Sequence, residues 1–124
     1  MLLEKTIMAI DDSKTQLKIY QTLLKNHFVL VLCDSPIVAL DVLKTVQVDL
    51  ILLDIEMPEM TGFEFLTEIR ANPALDRLPV IVISGFQDIA TAVKYGANDF
   101  MEKPVIFSTL LGKINALLEP LPKP

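Results

Sequence analysis

Residues 50–60 read LILLDIEMPEM, and this stretch decides the fold. Four aliphatic residues without polar alternation suit a strand buried on both faces of a sheet. The run stops at Asp54, where a charge directly after a buried segment is costly without a partner. The same arrangement recurs along the chain. IMAI (7–10) runs into Asp11 and Asp12, VIVI (80–83) runs into Ser84, and the shorter DFMEKP (99–104) delivers Lys103. In an open parallel α/β sheet, ligands bind outside the carboxyl ends of the strands. Four such ends would therefore bring three carboxylates, a hydroxyl and an ammonium to one edge.

Working outward, strands are expected at about 5–10, 28–33, 50–53, 80–83 and 98–101, with helices between them. The first helix starts near Ser13, with Gln16 placed for a capping box. Leu17, Tyr20, Leu23 and Leu24 form its apolar stripe. The second opens at Ser35 and Pro36, an N-cap followed by proline in the first turn. It carries Leu40, Leu43 and then Val46 or Gln47 at helical spacing. The third starts near Thr61 with Glu64 as capping partner, and Phe63, Leu66 and Ile69 mark its buried side. The fourth, about 89–94, is short and stops at Gly96. The fifth presents Leu110, Leu111, Ile114, Leu117 and Leu118. Five strand–helix repeats imply right-handed crossovers and a parallel sheet covered on both faces.

The chain has 124 residues, the size of one domain, with 52% hydrophobic and 22% charged residues. We expect one domain over 1–119 and a proline-rich tail, or the start of a linker, in PLPKP (120–124). A net charge of -5 argues against a nucleic-acid surface. No stretch is long and apolar enough to span a bilayer, and the N-terminus does not read as a signal peptide. A single Cys33 cannot form an intramolecular disulfide, which fits a cytoplasmic location.

The pieces DD (11–12), LLDIEMPEMTGFEFL (52–66), VIVIS (80–84) and GANDFMEKP (96–104) together resemble the receiver domain of bacterial two-component response regulators, over nearly the whole chain. The resemblance implies a flavodoxin-like, doubly wound five-stranded parallel sheet of order 2-1-3-4-5 with five helices. It implies a phosphorylation-controlled switch rather than an enzyme with a separate substrate, catalysing only its own phosphoryl transfer and dephosphorylation. Asp54 would accept the phosphoryl group from a histidine kinase or phosphotransfer protein. Mg²⁺, or Mn²⁺, would be held by Asp12 and Asp54, by Asp11 through water and by the backbone carbonyl of Glu56. Lys103 would pair with the phosphoryl oxygens, aimed by a cis bond to Pro104. Ser84 would be the switch hydroxyl and Phe100 the aromatic that turns inward with it. Phe replaces the family's frequent Tyr there, so ring burial alone would drive that state. Output would pass to an effector protein or to a C-terminal output domain, with a phosphorylation-dependent homodimer through strand five and helices four and five.

Two departures from the family pattern stand out. The segment 84–96 is about one helical turn short, which puts the usual dimer geometry in doubt. Phe86, two residues past Ser84, is bulky and apolar, and we expect it to shield the acyl phosphate from water; an unchanged dephosphorylation rate in Phe86→Ala would refute this. Other readings fit less well. Haloacid-dehalogenase-type phosphatases use Asp-x-Asp, where this chain has Asp54-Ile55-Glu56. A flavin site needs a hydroxyl- or glycine-rich loop after the first strand, where this chain has DDSKT (11–15). A receiver fold that works without phosphorylation remains as a third reading. His27 reads as a surface turn residue, Cys33 as a small hydrophobe, and Met57 and Met60 as loop packing. Gly62 and Gly96 read as turn or helix-end residues.

Overall fold

The computed structural model describes residues 4–85 and 89–119, with Ile89 described through its backbone only. Phe86 and the tail 120–124 lie outside the described residues. Strands β1 (Thr6–Ile10), β2 (Val29–Cys33), β3 (Leu50–Leu53), β4 (Val80–Ser84) and β5 (Asp99–Glu102) alternate with helices α1 (Lys14–Leu24), α2 (Pro36–Val42), α3 (Gly62–Ala71), α4 (Ile89–Lys94) and α5 (Phe107–Leu118). All pairings are parallel and the order is β2-β1-β3-β4-β5, as expected.

Every residue of β3 and β4 is buried, which is what their unbroken aliphatic runs require. Strand alternation divides the core in two. On one face Met8, Ile10, Ile51, Leu53, Val80 and Val82 meet α2, α3 and α4 through Ala39, Phe65, Leu66, Ile69 and Ala92. On the other, Ile7, Ala9, Leu50, Leu52, Ile81 and Ile83 meet α1 and α5 through Leu17, Tyr20, Leu24, Leu110 and Ile114. Each fully buried aliphatic side chain contributes roughly 1.5–3 kcal/mol relative to an exposed one.

Three local expectations need correcting. Phe65, not Phe63, is the fully buried aromatic of α3. Phe63 sits at the flank and stacks on Tyr95, ring centroids 4.8 Å apart. α2 ends at Val42 and its cap Leu43 is buried, so Val46 lies beyond the helix and is exposed. The Ser13 hydroxyl accepts from Gln16 N at 3.2 Å, but the capping box does not close, because the Ser13 N–H donates to Asp11 Oδ1 (2.9 Å) and not to the Gln16 side chain. The capping box at Thr61 and Glu64 does form in both directions (3.1 and 3.0 Å). α4 is as short as the sequence indicates and ends at Lys94, with Gly96 in the turn beyond it at a φ of 99° that suits glycine.

The amino ends of the strands are tied together by polar side chains. Arg70, late in α3, donates to the carbonyls of Leu78 (2.7 Å), Gly96 (2.9 Å) and Asp76 (3.3 Å) and to Asn98 Oδ1 (2.8 Å). Asn98 Oδ1 also accepts from Val80 N (2.9 Å). Asp49 accepts from Thr6 N (2.8 Å), linking the starts of β3 and β1. One guanidinium thus joins α3 to the loops entering β4 and β5.

Candidate functional site

At the opposite, carboxyl end, register builds the site. Ile10 pairs with Leu53, so the residues that follow, Asp11 and Asp54, emerge side by side. Backbone bonds extend the ladder past the strands: Asp11 N donates to Cys33 O (3.1 Å) and Asp54 N to Ile10 O (3.0 Å). Ser84 pairs with Glu102, and Lys103 N donates to Ser84 O at 2.9 Å. The lysine therefore leaves β5 beside Ser84, through a cis Lys103–Pro104 bond.

Asp11 is fully buried and Asp54 is 7% exposed. Lys103 Nζ lies between them, 2.9 Å from Asp11 Oδ2 and 3.4 Å from Asp54 Oδ1. Asp11 Oδ1 accepts from Ser13 N at 2.9 Å, which also fixes the entry to α1. Asp12 stands exposed at the rim, and each of the three aspartates offers a carboxylate oxygen within 4.8 Å of the others'. Burial first, and then the charge of Asp11, push Asp54 up to about 6, against the opposing pull of Lys103. Burial pulls the Lys103 ammonium down, but its hydrogen bond and charge pairing with Asp11, and then with Asp54, outweigh this and raise its pKa. One ammonium faces two buried carboxylates and a third at the rim, so the cluster carries more negative charge than its own cation offsets. Hard oxygen donors at this spacing fit a divalent cation such as Mg²⁺.

The loop after Asp54 is shaped for close approach. A Cβ at Gly62 would overlap the Asp54 carbonyl oxygen and lie 2.8 Å from Ile55 Cα, so α3 can start against the site only with glycine there. Glu59 has φ 72° in a γ-turn closed by Met60 N donating to Pro58 O (2.8 Å), a strained conformation for a side-chain-bearing residue. Met57 is buried and Met60 packs against the core, as loop packing.

The structure brings together Asp11, Asp12, Asp54 and Lys103, with Ser84 buried at the end of β4 beside them. Glu56 is exposed, two residues past Asp54. Phe100 is half-buried in β5 opposite Val82 and packs on the α2–α4 side of the core. Cys33 is buried, and burial followed by the charge of Asp34 raises its thiol pKa, as for a packed thiol. His27 is exposed and its ring lies tilted against Phe28 and Phe107.

Sequence reasoning placed Tyr20 only in an apolar stripe. It is buried near enough to feel Asp11 and Asp54, and burial raises its hydroxyl pKa above the ordinary value. A tyrosine amid aliphatic stripe positions of the helix that follows an acidic pair was the available signal. Gly62 was legible as a turn residue, but its contact with the Asp54 carbonyl was not.

No helix among the described residues is long and apolar enough to cross a membrane. Among solved structures, the chain is similar to the receiver domain of a signal transduction histidine kinase from Syntrophus aciditrophicus, with a TM-score of 0.86 and 27% identity over 93% of this chain and 90% of that one. It is also similar to the Mn²⁺-bound form of response regulator Rcp1, with a TM-score of 0.82 and 26% identity over 98% and 99% of the two chains. A probable cyclic di-GMP phosphodiesterase of Vibrio cholerae is 33% identical over 92% of this chain, which spans only 26% of that protein. The response regulator receiver domain model matches residues 7–115, and the chain belongs to that family.

Proposed function

We propose that Asp54 is the phosphoacceptor of this receiver domain. A carboxylate oxygen of Asp54 attacks the phosphorus of a phosphohistidine on a histidine kinase or phosphotransfer protein. The new P–O bond forms as the P–N bond breaks, and the electron pair stays on the imidazole nitrogen, which takes up a proton. Asp12 and Asp54, with Asp11 and the Glu56 carbonyl, would hold Mg²⁺ or Mn²⁺, which would supply positive charge to the transferring group. Lys103 is within reach to pair with the phosphoryl oxygens. Ser84 donates its hydroxyl to the product, and Phe100 moves inward with it. The observation that carries this reading is the convergence of three carboxylates within 4.8 Å with Lys103 Nζ bridging two of them.

The chain turns over no separate substrate; its chemistry is its own phosphorylation and dephosphorylation. The domain extends over 1–119, in the cytoplasm, with no direct nucleic-acid contact. Output passes to an effector protein or to a further domain, since curated relatives are several times longer than this chain. A cavity of about 320 Å³ beside Phe100, lined by Met101, Pro104 and Ile106, supports a phosphorylation-sensitive surface at β5 and α5 for a partner or a second copy. Transfer of labelled phosphate from a phosphohistidine donor tests the reading. Label should reach the wild type and not Asp54→Asn; equal labelling of both would overturn the assignment.

A further inference from the structure

The two edges of the sheet are guarded differently. At the β5 edge, Asp99 pairs with Lys113 (3.0 Å) and Glu102 follows, so charge discourages another strand from pairing there. β2 reads VLVLC, with no charge and no proline. Val29 N donates to Lys5 O and Cys33 O accepts from Asp11 N, so residues 29, 31 and 33 turn their backbone groups toward β1. By alternation, Leu30 and Leu32 turn theirs outward, where β2 has no neighbouring strand among the described residues. Val29 and Leu32 are exposed on this edge, and Ile37 and Val38 in the first turn of α2 are exposed beside it.

We propose that this edge pairs with a second copy of itself, antiparallel, about a two-fold axis through Val31. In that register Leu30 of each copy faces Leu32 of the other, and the outward groups of both residues form about four hydrogen bonds across the axis. The match is self-complementary, as a two-fold interface requires. The charges flanking the strand agree with it. Exposed Lys25 precedes β2 and exposed Asp34 follows it, so an antiparallel pair sets the acidic end of each copy toward the basic end of the other. A parallel pair would set like on like. The two five-stranded sheets become one continuous sheet, with both phosphoacceptor sites outside the seam. This association uses the edge opposite β5 and does not need phosphorylation.

Sedimentation equilibrium of the 124-residue chain without phosphodonor, from about 10 µM to about 1 mM, tests it. The mass should rise from one chain toward two. Leu32→Lys, at an exposed position outside the core, should hold it at one, with circular dichroism confirming the fold. Ile106→Lys, on the opposite side, should leave association unchanged. Val31→Cys in a Cys33→Ser background should cross-link on mild oxidation, because two residues on the axis of a non-hydrogen-bonded pair sit at disulfide distance. A monomer at every concentration would overturn the proposal. So would a dimer that survives Leu32→Lys, a dimer lost in Ile106→Lys, or an associated Val31→Cys variant that does not cross-link.

Discussion

The two ends of the sheet handle polar groups in opposite ways. At the amino end, Arg70 has four hydrogen bonds, Asn98 joins two strand entries and Asp49 caps another. Arg70 and Asp49 are thus both hydrogen-bonded there. At the carboxyl end, buried Asp11 and Asp54 share one ammonium, Asp12 adds a third carboxylate, and the loop between Asp54 and α3 carries a positive φ at Glu59. One end is satisfied and holds the fold; the other is left short of positive charge and is ready to bind it. Active sites commonly give up stability in this way, and the rest of the fold compensates.

The largest expected effect separates the ends by function. Lys103→Ala should slow phosphorylation by about 100-fold or more, because one preorganised charge at the transferring group is lost. Phosphorylation rates at saturating donor check this. A rate within a few-fold of wild type would mean that the carboxyl end does not depend on its one ammonium. Arg70→Ala should do the reverse. It leaves three carbonyls and Asn98 short of a donor and should cost about 2–4 kcal/mol in urea unfolding, with phosphorylation of the folded protein intact. A loss below about 0.5 kcal/mol would remove the contrast.

Asp54→Asn should stabilise the protein in EDTA, by on the order of 1–2 kcal/mol at pH 7, since it removes a buried charge whose pKa rises from 3.8 to about 6. Mg²⁺ should shrink or reverse that gain. The pH dependence follows with the same sign. The folded state holds the Asp54 proton between 3.8 and about 6 and the unfolded chain does not. Metal-free stability should therefore fall as pH rises through that window and level off above it. The slope should disappear in Asp54→Asn, and persistence of the same slope would assign it to another group. The smallest effect belongs to the loop. Glu59→Gly should stabilise by up to about 1 kcal/mol by relieving a positive φ, and Glu59→Val should destabilise.

How much of this was legible follows the same division. The carboxyl end could be read because each of its residues closes an apolar run or follows one, so strand order alone brings Asp11, Asp54, Ser84 and Lys103 together. The amino end could not. Arg70 reaches Leu78, Gly96 and Asn98, partners 8, 26 and 28 residues away, through side-chain and carbonyl bonds that leave no period in the sequence. The buried face of α3 was misread at Phe63 because positions 63 and 65 bracket the stripe, and a three-or-four-residue spacing admits either until the stack on Tyr95 is known. α2 was read too long because Leu43 and Val46 continue the helical spacing after the backbone has left the helix.

Intact mass after incubation with acetyl phosphate, with and without Mg²⁺, tests the central claim most directly, with Asp54→Asn in parallel. The wild type should gain one phosphoryl group only when Mg²⁺ is present, and the variant none. An equal gain in the variant, or a gain indifferent to Mg²⁺, would contradict the assignment of Asp54 and of the carboxylate cluster around it.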